Sequence, residues 1–115
     1  AFHSKLMQPA AEEFEAALKE MNITFNKSSV AFYSNLLGAE MTEFDGMPEK
    51  LAKHIVSPVK FTSELAALQA EGYENFVELG PNKVLTGLVK KTLKGVNAVN
   101  VENEKTLGKA LELFK

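Results

Sequence analysis

The sequence predicts an α/β fold: a mostly parallel sheet flanked by helices in three layers. Three observations carry that expectation. Apolar residues recur at helical spacing in five segments, and three short runs rich in β-branched and aromatic residues fall between them. Gly, Pro and Asn mark the junctions. The order is helix, strand, two helices, strand, helix, strand, helix, and strands separated by helices imply crossover connections and hence parallel pairing.

Ser4 stands where it can cap a first helix whose stripe is Met7, Ala10, Ala11, Phe14, Leu18 and Met21. Pro9 restricts the start of that helix, because proline is tolerated only in a first turn. After a polar stretch from Asn22 to Ser29, Val30 to Leu36 reads as a strand ending at Ser34-Asn35. Asp45-Gly46 marks a turn, and Pro48 suits the first helical position of a second helix bearing Met47, Leu51 and Ile55. Ser57-Pro58 stops it, since the residue before proline avoids the helical region. Phe61, Leu65 and Leu68 form a third stripe that Gly72 closes. Asn75 to Leu79 reads as a strand running into Gly80-Pro81-Asn82, where Asn82 suits a left-handed turn. A helix from Lys83 carries Val84, Leu85, Leu88 and Val89 and stops by Gly95. Val96 to Val101 is the third strand, and Asn103 caps a last helix with Leu107, Ala110, Leu111 and Phe114. Three strands make a narrow sheet with apolar, unpaired edges, which suggests that part of the fold lies outside this chain.

The chain has 115 residues, room for one core of moderate size and too few for two domains. Its 45% hydrophobic and 24% charged residues are ordinary for a globular domain. No apolar run is long enough to span a membrane. There is no Cys, which excludes disulfides, thiolate metal sites and a cysteine nucleophile, and fits a reducing, cytoplasmic setting. A net charge of −2 argues against nucleic-acid binding. All 13 basic residues are Lys, so any arginine clamp on a carboxylate must come from elsewhere. The opening Ala1-Phe2-His3-Ser4 reads like the middle of a domain, with no basic and apolar leader, and the chain is expected to be a piece of something longer.

Few residues can carry chemistry. His3, at a loop-to-helix junction, has the side chain best suited to a general base near neutral pH, and a solvent-facing cap-region histidine is the plainer alternative. Ser4 is adjacent to His3 and points in a diverging direction, which suits a cap better than a nucleophile. His54 lies at the end of the second helix, where the helix dipole favours a cation. Two histidines and one Asp match no metal-ligand spacing. Gly80-Pro81-Asn82-Lys83 is a turn that lacks the pattern of a phosphate loop. Lys90, Lys91 and Lys94 form a basic cluster at a helix end, either a solvated face or a docking patch for an acidic partner.

Taken in order, these segments resemble one family. Ala1-Phe2-His3-Ser4 followed by Leu6-Met7-Gln8-Pro9-Ala10-Ala11 resembles the catalytic-histidine segment of malonyl-CoA:acyl carrier protein transacylases. Ser57-Pro58-Val59-Lys60-Phe61 is similar to that family's proline-valine-basic-aromatic stretch. Phe76-Val77-Glu78-Leu79-Gly80-Pro81-Asn82-Lys83-Val84-Leu85-Thr86-Gly87-Leu88 resembles its C-terminal signature, and Ser34-Asn35 ends a strand where members often carry a similar pair. The resemblance covers essentially all of residues 1–115, but only the C-terminal portion of the family's catalytic domain.

The resemblance implies the C-terminal part of a hydrolase-like acyltransferase large subdomain, incomplete on its own, and a malonyl-serine intermediate. A serine in a Gly-His-Ser-x-Gly segment would attack malonyl-CoA, with His3 removing its proton and backbone amides holding the oxyanion. Malonyl would then pass to the pantetheine thiol of acyl carrier protein. The implied partners are acyl carrier protein, malonyl-CoA as substrate and the missing N-terminal part of the same enzyme; no metal, bound cofactor, nucleic acid or membrane is implied. His54 stands where members often carry glutamine, whose backbone carbonyl holds the histidine. Asn82 replaces a usual glycine. Phe2 is implied in malonyl selectivity, and Lys90 and Lys91 match a basic pair proposed for docking the carrier. Residues 1–115 contain no Gly-His-Ser-x-Gly segment and no arginine, so the chain alone is expected to be inactive. The same fragment from a polyketide or multidomain fatty-acid synthase, a carrier-binding module without catalysis, and an inactive structural fragment are the other readings.

Overall fold

The computed structural model describes residues 1–115. The chain divides into two compact units, Ala1–Glu64 and Leu65–Lys115. No helix is long and apolar enough to cross a membrane.

The first unit opens with a left-handed residue and a short 3-10 turn, Lys5–Met7, that runs into helix α1, Gln8–Glu20. Pro9 occupies the first turn of α1, where its missing N–H costs nothing. Ser4 does not cap: its Oγ donates to Ala1 O at 2.6 Å, and no helical N–H reaches it. The reversal at His3 brings the Ala1 carbonyl over the Ser4 hydroxyl, and this local bond replaces the capping one. The buried face of α1 presents Ala11 and Leu18, and α1 packs against α2, Met47–Val56, which buries Met47 and Ala52. Across this pair Lys19 bridges Glu15 and Glu49, both at 2.7 Å, and the two carboxylates push its ammonium pKa up to about 12. Pro48 stands one position further into α2 than expected, still within the first turn.

The strand expected over Val30 to Leu36 is largely absent. Only Tyr33–Ser34 is extended, as β1, and it pairs antiparallel with β2, Ala39–Glu40, in register Tyr33↔Glu40 and Ser34↔Ala39. The chain turns back at once because the Ser34 carbonyl accepts from both Leu37 N at 3.0 Å and Gly38 N at 2.7 Å. Gly38 is left-handed at φ 71°, and a β-carbon there would lie 2.8 Å from Ser63 Cβ and 2.9 Å from Lys60 Cβ. Both the dihedral and the space therefore require glycine.

Helix α3, Phe61–Ala70, contains the division between the units. It ends in a Schellman motif on Gly72 at φ 88°: Tyr73 N donates to Leu68 O at 3.1 Å and Gly72 N to Gln69 O at 3.0 Å. In the second unit, β3, Asn75–Leu79, and β4, Asn97–Val101, pair in parallel from Asn75↔Asn97 to Leu79↔Val101. Helix α4, Val84–Thr92, connects them and packs on both strands, while α5, Glu104–Leu111, packs on β4. Leu65, Val89, Leu93, Ala98 and Ala110 are buried. The fold is thus α/β, but its sheets are one parallel pair and one two-residue antiparallel ladder, in place of a three-stranded parallel sheet. Alternation of helices with strands correctly gave the β3–α4–β4 crossover; it could not register that Ser34 starts a tight turn.

Asn103 caps α5 as expected, in a reciprocal box: its Oδ1 accepts from Thr106 N at 3.1 Å, and Thr106 Oγ1 accepts from Asn103 N at 3.0 Å. Asn103→Ala removes the side-chain half of this box and should cost about 1 kcal/mol, read as a lower midpoint in urea with an unchanged slope.

Candidate active site

His3 is a non-glycine residue at φ 61°, a conformation histidine tolerates better than most side chains. Its main chain is fixed by His3 N donating to Ile55 O at 2.8 Å. The same dihedral turns the imidazole toward the end of α2. Nδ1 lies 3.1 Å from His54 O and 3.2 Å from Ser57 O. Both partners are carbonyl oxygens, so Nδ1 carries the proton and donates, and in the neutral ring Nε2 keeps its lone pair. The residue is exposed. An oriented imidazole with a free nitrogen lone pair open to the surface has the geometry of a proton acceptor.

The two carbonyls come from the point where α2 stops. Ser57 leaves the helix at φ −110° and ψ 150°, extended as the residue before Pro58 must be, and Ser57 N still donates to His54 O at 3.3 Å. The abrupt exit turns the Ser57 carbonyl out of the helical direction, so it joins the His54 carbonyl at the end of α2 around one N–H.

His54 contributes its side chain as well. Its ring lies 5.2 Å from that of His3, centroid to centroid, inclined at 45°, and Phe2 lies 6.4 Å from His3 on its own account. His54 Nε2 is buried without a hydrogen-bond partner. Burial pushes the His54 pKa down, and charge on His3 pushes it further the same way. The helix-end position that favours a cation is thus overridden by desolvation. His54 also lines a cavity of about 160 Å³ together with Phe32, Asn35, Met41, Met47 and Leu51.

Phe2 adjoins His3 in this cluster. Phe2 is 69% exposed. Lys90 and Lys91 lie in the last turn of α4, in the second unit. Among the residues no group of His, Cys, Asp and Glu is arranged to hold a metal. Sequence reasoning did not find Ser57 and Ile55 as anchors of His3, because they act through main-chain oxygens that no side-chain identity announces.

The signature segment of the second unit owes its geometry to Glu78. Its carboxylate accepts from Thr86 N at 2.8 Å, Thr86 Oγ1 at 2.7 Å and Leu85 N at 3.1 Å, capping the start of α4 from the neighbouring strand. These bonds, the Thr86 N–H foremost, pull the Glu78 pKa down against the opposing effect of burial. Asn82 adopts φ 70°, as its type suggests; Asn82 N donates to Glu102 Oε2 at 2.9 Å, and Asn82 O accepts from Asn100 Nδ2 at 3.1 Å. A carboxylate among the apolar residues Phe76, Val77 and Leu79, just before a helix, was the available sign of this cap.

The acyl transferase domain family matches residues 1–111. The chain is 39% identical over 114 residues to the malonyl CoA-acyl carrier protein transacylase of Bacillus subtilis, covering 99% of this chain and 35% of that protein. It is 36% identical over 99 residues to the polyketide biosynthesis malonyl CoA-acyl carrier protein transacylase PksC of the same organism, covering 86% of this chain and 33% of that one. The crystal structure of a malonyl CoA-acyl carrier protein transacylase from Clostridium perfringens superposes with a TM-score of 0.89 at 37% identity, over 98% of this chain and 35% of that chain. The chain therefore spans about a third of the length of the proteins it matches.

The depressed His54 pKa has a definite sign. The unfolded chain binds a proton at His54 at higher pH than the folded chain does, so stability falls as pH drops below about 6.5 toward the folded value. His54→Gln keeps the main-chain carbonyl and removes this proton, and should flatten the fall in thermal midpoint between pH 7.5 and pH 5.5.

Proposed function

The chain belongs to the acyl transferase domain family, and from that premise we propose that it is the C-terminal segment of a malonyl-CoA:acyl carrier protein transacylase that supplies the general base. The observation that carries the proposal is the protonated Nδ1 of His3 held by two carbonyls, which leaves Nε2 free beside the surface.

The reaction needs a nucleophile that residues 1–115 do not contain, a serine from polypeptide outside this segment. His3 Nε2 takes the serine proton as the oxygen attacks the malonyl thioester carbon. The His54 and Ser57 carbonyls accept the imidazolium Nδ1–H and hold the ring in place through the charge change. The tetrahedral intermediate collapses, the carbon–sulfur bond breaks, and the coenzyme A thiolate takes the proton from Nε2. The second half runs in reverse: His3 deprotonates the pantetheine thiol, sulfur attacks the malonyl ester, and serine leaves with the proton. No bound cofactor enters either half. The absence of arginine assigns the grip on the malonyl carboxylate to the same outside polypeptide.

Phe2 and the Lys90-Lys91 pair extend the proposal. The exposed Phe2 ring, next to the base, can limit the space beside the acyl α-carbon. Lys90 and Lys91 give the end of α4 positive charge for an acidic carrier protein. The 36% identity to PksC supports a second reading, the same chemistry serving polyketide carriers; comparing rates with fatty-acid and polyketide carrier proteins separates the two.

The tests use the complete enzyme carrying this segment. His3→Ala should lower kcat for malonyl transfer by ~10²–10⁴-fold in a radiolabelled malonyl assay, and an unchanged rate removes His3 as base. Phe2→Ser should shift selectivity toward methylmalonyl-CoA by up to ~10–100-fold, the range one methyl group allows, measured as a ratio of kcat/KM values. Replacing Lys90 and Lys91 by Glu should raise KM for carrier protein roughly tenfold and leave the coenzyme A half-reaction unchanged, whereas equal loss in both halves points to misfolding.

A further inference from the structure

The Ser57 carbonyl is one of two acceptors that orient His3, yet Ser57 lies beyond the end of α2, on a connection of few residues. What fixes the far end of that connection is a polar pair, the half-buried Asn35 and the buried Glu64. Lys60 N donates to Asn35 O at 2.9 Å, which ties the start of α3 to the turn after β1. The Asn35 amide, turned so that its nitrogen faces the carboxylate, donates to Glu64 Oε1 at 3.0 Å and Oε2 at 3.1 Å. Glu64 is only 6% exposed, and its backbone N donates to Lys60 O at 3.1 Å, closing the loop of bonds from Lys60 through Asn35 to Glu64 and back. A β-carbon at Gly38 would collide with the Cβ atoms of Lys60 and Ser63, so the same turn packs close to the start of α3 only because residue 38 is glycine.

We propose that Glu64 and Asn35 are positioning residues for the base: their hydrogen-bonded pair sets the Ser57–Lys60 connection and, through the Ser57 carbonyl, the orientation of the His3 imidazole. Neither residue touches His3. A carboxylate buried this deeply is an expensive way to fill space, because desolvation disfavours its charge, and burial does push the Glu64 pKa up. An apolar side chain would pack α3 equally well and would leave the Asn35 amide unpaired. The amide oxygen and nitrogen of Asn35 need a partner with acceptors on one side, and Glu64 is the group placed to provide them. The geometry is also stiff, since Pro58 fixes one φ inside the connection and Gly38 admits no larger residue. A loss at the pair therefore moves the carbonyl rather than being absorbed along the way.

The role depends on His3 being the base of an acyl transfer, so two readouts keep the two claims apart. The complete enzyme is labelled with ¹⁵N-histidine, and the Nδ1–H resonance of His3 is assigned by its loss in His3→Ala. In parallel, kcat and KM for malonyl-CoA are measured for Glu64→Ala, Asn35→Ala, the double variant and Glu64→Gln. Displacement of the ring by a fraction of an ångström predicts a loss in kcat of about tenfold with KM unchanged in each Ala variant. The double variant should be no worse than either single one, and Glu64→Gln, which keeps one acceptor oxygen, should remain within about threefold of wild type. The Nδ1–H line should broaden in the Ala variants and persist in Glu64→Gln. Wild-type kcat and an unchanged line in Glu64→Ala, or losses that simply add in the double variant, overturn the proposal. If Glu64→Ala melts at the assay temperature, the isosteric Asn35→Asp decides: it sets two carboxylates against each other, so loss of the line supports the clamp and a wild-type line overturns it. If the wild-type enzyme transfers no malonyl group at all, the transacylase reading fails, and the resonance alone still tests the clamp.

Discussion

The Nδ1–H of His3, shared between the carbonyl oxygens of His54 and Ser57, fastens the entry of α1 to the exit of α2. Two conditions must hold together for that sharing. The chain must enter α1 through a left-handed residue, so that the ring swings away from its own helix and His3 N meets Ile55 O. And α2 must stop sharply, so that an extended Ser57 brings its carbonyl beside that of His54. Proline supplies the second condition, since Pro58 forbids a helical residue before it. Packing of α1 on α2 supplies the first, by holding the two helix ends at the distance the bonds require. Main-chain oxygens make durable acceptors here, because they do not titrate and cannot rotate out of place.

The second unit solves a comparable problem with side chains. A parallel pair of strands needs a crossover, and the crossover helix α4 begins with donors that lack partners. Glu78 on β3 reaches over the Gly80-Pro81-Asn82-Lys83 turn to accept from two of those donors, Leu85 N and Thr86 N, and from the Thr86 hydroxyl, while Asn100 on β4 and Glu102 just beyond it hold Asn82 from the other side. Both main-chain groups of Asn82 are thereby paired within the turn. Glu78 also neutralises the positive end of the α4 dipole, so the start of this helix is not open to an anionic ligand.

Much of this was legible in the residues. The 3.6-residue stripes located the helices, Gly72 marked the end of α3, Asn103 marked the start of α5, and Asn82 took the left-handed conformation its type allows. The misses share a cause. Ser4 was read as a cap and Val30 to Leu36 as a strand because the patterns are local, whereas the outcome was set by bonds made a few residues away: Ser4 Oγ to Ala1 O, and two amides to Ser34 O. Hydrophobic periodicity reports which face is buried. It does not report which carbonyl wins a competition for a donor.

The class of the fold and the family follow from side-chain type and order along the chain, and so does the choice of His3 as the residue to propose as a base. The absence of arginine from these residues is a matter of composition, and the absence of a Gly-His-Ser-x-Gly run a matter of residue order. How His3 is oriented, that burial pushes the His54 pKa down, and that Glu64 faces Asn35 are set by the folded chain alone. Those depend on groups 29 to 54 positions apart in sequence meeting in space, and on main-chain oxygens that every residue possesses alike. A carbonyl carries no signature in a sequence until folding points it at something.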